Sequence, residues 1–135
     1  MRSRVTRLFR AFTVNLYDKD DGFKKFTLDE ANALLPEIIA VTDKTVQLLQ
    51  FVKNEFEVND EKIHILESWT GEIISFGVYP KGYFTVDFKS PIPDTLFCWT
   101  YGEQKIMHTH KIYETYKNRV PIKDKPIAGF ENELN

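Results

Sequence analysis

The residue pattern predicts an α+β fold: a long kinked helix and a second helix form an antiparallel hairpin, packed on a three-stranded antiparallel β-meander. Three observations predict it. From Phe26 to about Phe56, apolar residues recur at three- and four-residue steps. From Ile63 to Ile74 they do so again, and after Gly77 the period drops to two. At 135 residues the chain is one domain by length, large enough for a single core. Hydrophobic residues make up 42% and charged residues 28%, the balance of a globular protein rather than a disordered one. Aromatics reach 14%, so the core or a ligand face should be rich in rings.

The first helix opens on Thr27-Leu28-Asp29-Glu30, a capping box. The threonine hydroxyl can accept from the N–H of Glu30, and the glutamate can bond back to the N–H of Thr27. Phe26, just before the cap, sits where a staple residue belongs. Ala31, Leu34, Leu35, Ile38, Val46, Leu49, Val52 and Phe56 form one apolar stripe, so the helix is expected from Leu28 to Phe56. Pro36 lies inside it. Lacking an N–H and crowding the carbonyl four residues back, it should bend the helix near Leu34.

Val58-Asn59-Asp60 breaks the pattern, and Asn59 or Asp60 can cap a second helix with the stripe Ile63, Leu66, Trp69, Ile73 and Ile74. Gly77 is its natural stop. His64 falls off the stripe and belongs to a solvated face. The short connection implies an antiparallel hairpin.

Beyond Gly77, Phe84, Val86 and Phe88 alternate with Tyr83, Thr85 and Asp87, which reads as a strand. The two-proline run Lys89 to Asp94 is a loop. Thr95 to Tyr101 is a second strand, Gly102-Glu103 a tight turn, and Gln104 to His110 a third strand. A turn or short helix follows between Ile112 and Asn118.

These elements divide the chain into an N-terminal extension and loop (residues 1–25), a globular domain (26–122) and a loose polar tail (123–135). Arg2, Arg4, Arg7 and Arg10, with no acid among them, leave two readings of the start open: a short targeting or membrane-surface helix, or a solvated extension. Asp18, Asp20 and Asp21 lack the full calcium-loop pattern and its terminal glutamate.

Composition also narrows the partners. A formal net charge of -2 and a pI near 5.9 give no global reason to bind nucleic acid. No run approaches the roughly 18 apolar residues of a membrane span, so no transmembrane segment is expected. One cysteine rules out an intramolecular disulfide framework and fits a reducing, cytoplasmic setting.

Chemistry-bearing residue types concentrate between Phe97 and Ile122: Cys98, Trp99, Glu103, His108, His110 and Arg119. Two residues apart on a strand, His108 and His110 would point the same way with Cα atoms about 6–7 Å apart, and such a pair can chelate one divalent metal. A two-residue turn at Gly102-Glu103 would set Trp99 opposite Ile106, Phe97 opposite His108 and Thr95 opposite His110. A symmetric first hairpin would set Val86 opposite Phe97 and Phe84 opposite Trp99. The histidines would then lie on the apolar face with Phe97 and Trp99, and Cys98 on the other. Glu103 would stand about 23 Å from His110 along an extended strand, leaving Asp94 or Glu114 as third metal ligand. Arg119 can clamp an anion with its planar fork or close a structural salt bridge. Trp99 is either core or a stacking platform. Cys98, between Phe97 and Trp99, reads as a buried inert thiol.

Taken in order, these blocks resemble the uncharacterised bacterial domain-of-unknown-function family 2203. Phe26-Thr27-Leu28-Asp29-Glu30-Ala31-Asn32 with Leu34-Leu35-Pro36 is similar to that family's FTxEEAN-x-LLP opening. Thr85-Val86-Asp87-Phe88 is similar to its LVDF strand. Cys98-Trp99, Gly102-Glu103, His108, His110, Arg119 and Pro121 follow its CWxxGE, HWH and GRxP elements without a gap. Thr109 stands where the family has Trp, the glycine before the arginine is missing, and the helical middle is short. The resemblance implies a fold and a site location; the family brings no reaction with it.

The functional expectation is a small ligand- or metal-binding domain, with Trp99, Glu103, His108, His110 and Arg119 as ligand candidates and His108 with His110 as metal ligands. The alternative is a non-enzymatic interaction module that forms a homodimer through its helical hairpin.

Overall fold

The computed structural model describes residues 23–52 and 59–122. Thr27 caps helix α1 (Leu28–Gln50) with both bonds of the capping box in place. The apolar stripe buries Leu28, Ala31, Leu35 and Ile38, then continues through Thr42 and Thr45 rather than through Val46. Each threonine hydroxyl donates back to a carbonyl four residues earlier, so neither is left unsatisfied in the core. Pro36 is accommodated inside α1. The expected end of this helix at Phe56 lies outside the described residues.

Asn59 caps helix α2 (Asp60–Ser75) by accepting from Lys62 N–H. Its stripe Ile63, Leu66, Trp69 and Ile73 is buried. Gly77 follows the helix with φ +82°, and a Cβ there would stand 3.1 Å from Lys24 Cβ, so glycine meets both a conformational and a steric demand. The two helices are tied by a buried bond from the Trp69 indole N–H to Thr42 Oγ1, 3.0 Å.

The sheet has five strands rather than the expected three, antiparallel and in chain order: β1 (Tyr79–Pro80), β2 (Thr85–Lys89), β3 (Thr95–Thr100), β4 (His108–Lys111) and β5 (Val120–Pro121). The two additional strands are the edges. Each is two residues long and contains proline, too short to show alternation and fit only for the outside of a sheet. A short 3₁₀ helix, Tyr116–Asn118, connects β4 to β5, at the place where a turn or short helix is expected.

One sheet face carries Val86, Phe88, Phe97 and Trp99 and packs on Ala31, Leu35, Ile38, Trp69 and Ile73 from the helices. This is the main core, and it holds Phe26, Trp69, Phe88, Phe97 and Trp99. The architecture is therefore α+β: two helices against one face of an antiparallel sheet. At one end of the other face, Tyr79 and Leu96 are covered by Phe23 and Ile112, with Phe23 stacked on Tyr79 at 4.1 Å.

A polar row on the second face of the sheet

Register decides what the second face displays. β2 pairs with β3 as Val86 to Trp99 and Phe88 to Phe97, two residues away from the expected register. A shift of two leaves every side chain on its expected face. β3 pairs with β4 as Leu96 to His110, Phe97 to Thr109 and Cys98 to His108, one residue away from the expected register. A shift of one reverses a strand. His108 and His110 therefore leave the apolar face and join Asp87, Cys98, Thr85 and Thr100 on the other. The expected separation of Cys98 from His108 is corrected in the same way.

The cause is the connection between β3 and β4, which is not a two-residue turn. Residues 101–107 make a longer loop, with Gly102 at φ +105°. Three bonds hold it in that shape. Glu103 N–H donates to Thr100 O at 3.0 Å, the Trp99 indole N–H donates to Glu103 O at 2.8 Å, and Ile106 N–H donates to Asn32 Oδ1 at 2.8 Å. Tyr101 adds a hydroxyl bond to Asp43 on α1. With both ends of the loop fixed on the core, β4 enters one residue out of the hairpin register.

Two clusters result. In the first, Asp87 from β2, Cys98 from β3 and His110 from β4 are 1%, 0% and 4% exposed. His110 Nε2 lies 3.0 Å from Asp87 Oδ1, and Nδ1 lies 2.8 Å from Lys111 O. Both ring nitrogens face acceptors, an arrangement that a doubly protonated imidazolium satisfies. Burial pulls the His110 pKa down. The hydrogen bond and charge of Asp87, with the Lys111 carbonyl, outweigh it and hold the pKa above its ordinary value, against the charge of Lys81. Burial also pushes the Cys98 thiol up strongly; Asp87 adds to this, while Arg119 opposes it. Asp87 Oδ2 is buried without a hydrogen bond of ordinary geometry among the described residues, although the weak thiol donor of Cys98 lies beside the carboxylate. Burial lowers the pKa of Lys81, and the charges of Asp87 and Cys98 hold it up.

In the second cluster, Arg119 grips Glu103 with both arms of its fork, Nη1 to Oε1 at 3.0 Å and Nη2 to Oε2 at 2.8 Å. Glu103 Oε1 also accepts from Thr100 N–H at 2.8 Å. His108 Nδ1 lies 3.3 Å from Glu103 Oε2, near enough for charge pairing but off the line of a hydrogen bond. Tyr116 lies under the guanidinium, 4.5 Å from ring centre to carbon. Desolvation raises the Glu103 pKa, but Arg119, the Thr100 N–H and His108 more than reverse it, leaving it below the ordinary value. Side chains here keep 16–22% exposure, so this cluster opens to solvent while the first does not.

Of the residues that the sequence singles out, Glu103, His108 and Arg119 are brought together, and His110 lies on the same face with a separate partner. Trp99 is on the core face and fully buried, where it positions the Glu103 carbonyl. Glu114 is engaged as an acceptor for Lys111 N–H, and Asp94 is exposed at φ +58°. The carboxylate that meets His110 is instead Asp87. Its signal in the sequence is a lone acid at the centre of an apolar strand, between Val86 and Phe88.

Fold and site together define a small α+β domain whose sheet carries a helical core on one face and a row of ionisable side chains on the other. The chain belongs to a family described as Uncharacterized conserved protein (DUF2203), whose model matches residues 50–122. That span holds α2, all five strands and both clusters, and begins at the last residue of α1. Neither the curated proteins nor the solved structures contain a match to this chain. No helix among the described residues is long and apolar enough to cross a membrane.

Proposed function

We propose that the second sheet face is a small-ligand- or metal-binding site around His108 and His110, with Glu103 and Arg119 as its solvent-facing rim. One observation supports this reading. Asp87, Cys98, His108, His110, Glu103 and Arg119 converge on one face, although the folded core is already complete on the other. Burying ionisable groups costs stability unless each is paired, and apolar residues at these positions would fold as well or better. Retaining them suits a face that binds something polar. Imidazole resonances provide the test. His64 lies exposed on α2, away from this face, and serves as an internal control. Titration with divalent metals, phosphate and small carboxylates should shift the His108 and His110 signals saturably and leave His64 unmoved. If no member of that panel moves either signal, the reading fails.

The second reading is a homodimer through an antiparallel hairpin of α1 and α2. Its support is Leu48 and Phe51 at the end of α1, with Phe51 85% exposed. Sedimentation of the wild type and Phe51→Ser checks it. A concentration-dependent dimer weakened by the substitution is the expected result, and a monomer at every concentration rules it out.

A further inference from the structure

We propose that Asp87, Cys98 and His110 form a binding site for a thiophilic divalent ion of the zinc class. The inference rests on the reading of this face as a binding site and names its ligands. One oxygen, one sulfur and one nitrogen from three adjacent strands already lie within 4.8 Å of one another. A tetrahedral ion with ordinary bond lengths would hold such atoms about 3.4–3.6 Å apart, a small adjustment of side chains. The strands supply the rigidity, since Asp87 and Cys98 are directly paired and His110 stands on the next strand.

Three features beyond proximity point to a metal. First, His110 Nδ1 donates to the Lys111 carbonyl at 2.8 Å, which fixes the ring and directs Nε2 into the cluster. This is the backing that orients a histidine for ligation through Nε2. Second, Asp87 is 1% exposed and its Oδ2 meets no donor of ordinary geometry among the described residues, only the weak thiol of Cys98 beside the carboxylate, a contact that a metal would replace. Third, one carboxylate, one thiol and one imidazole form a donor set whose charge can match a divalent ion. When a divalent ion binds, the Nε2 proton and the thiol proton leave to solvent; carboxylate, thiolate and neutral imidazole then balance the two positive charges. Lys81 and Arg119 lie near the thiol, and Glu103 and His108 stand beyond Arg119. Thiolate and imidazole select zinc-class ions over magnesium and calcium, which take oxygen ligands. Three protein ligands leave a fourth position open.

The site contrasts with the His108–His110 pair expected from spacing alone. The two rings share a face, but His108 turns to Glu103 and His110 to Asp87. Cobalt(II) added to the full-length, chelator-stripped protein separates the two. The trio predicts a saturable near-ultraviolet thiolate-to-cobalt band at one equivalent, displaced by zinc. Cys98→Ser abolishes the band, His64→Ala keeps it, and Asp87→Asn or His110→Gln weakens binding at least tenfold. Circular dichroism checks that each variant is folded. Zinc-edge X-ray absorption of the wild type, which needs no variant, should show one sulfur among nitrogen and oxygen neighbours. Absence of a thiolate band and of a sulfur neighbour overturns the assignment, including where cobalt binds and is lost only with His108→Ala. Failure of the wider reading shows differently, as histidine resonances that respond to nothing.

Discussion

Cys98 and His108 stand opposite each other across β3 and β4, so their side chains share the polar face of the sheet. Beside them, Asp87 meets His110 on one side and Arg119 meets Glu103 on the other.

The Asp87–His110 pair should make stability depend on pH in a definite direction. His110 titrates above its ordinary value of 6.5 in the folded protein. Its contribution is thus complete below about pH 6.5 and is lost as pH rises through the folded pKa. Urea unfolding between about pH 6 and 9 should show that decline, and Asp87→Asn should flatten it. The substitution should also cost about 3 kcal/mol near neutrality, because it strands a buried imidazole against a partner that no longer carries charge.

Glu103 gives the opposite sign. Its pKa is held below the ordinary 4.5, so its contribution is present above about pH 4.5 and disappears as pH falls through the folded pKa. The cluster is partly solvated, which screens the pair, so Glu103→Gln should cost only about 1 kcal/mol. Arg119→Lys should not preserve the interaction, since a single ammonium cannot reproduce two parallel bonds to one carboxylate. Chemical denaturation of the two variants measures both expectations.

Thr42 supports the helix pair through one oxygen. It accepts from the Trp69 indole at 3.0 Å and donates to Ile38 O at 2.8 Å. Thr42→Val keeps the shape and leaves a fully buried N–H unsatisfied, so unfolding free energy should fall by about 1–3 kcal/mol. Thr42→Ser retains the hydroxyl and should fall less. Equilibrium unfolding followed by tryptophan fluorescence reads both.

Cys98 should resist thiol reagents while the protein is folded. It is fully buried, and burial together with Asp87 keeps the thiol protonated well above neutral pH. Labelling at about pH 8 should proceed at the rate of structural opening and become rapid in urea. Fast stoichiometric labelling of the native chain would contradict the burial.

Much of the fold was legible because it is written in short-range pattern. The capping box at Thr27, the stop at Gly77 and the alternation around Val86 each rest on residues within a few positions of one another. The edge strands at Tyr79–Pro80 and Val120–Pro121 were not legible, because two residues hold no period. In the site, Arg119 was recognisable as one arm of an ion pair or anion clamp, but its acidic partner was left open. Asp87 was not recognised as the partner of His110, because nothing local joins residues on two strands separated by a third.

By itself, the sequence determined the class of fold, the order of its main elements and the residues able to carry chemistry. Only the tertiary structure decided which of them share a face. Between β2 and β3 the register differs from simple hairpin arithmetic by two residues, and nothing changes sides. Between β3 and β4 it differs by one, and the histidines cross from the core to the polar face beside Cys98. Strand side chains repeat every two residues, so the parity of a loop outweighs any local preference. That parity is set by the 101–107 loop, held by Trp99, Asn32 and Asp43, which lie on two different elements of the fold.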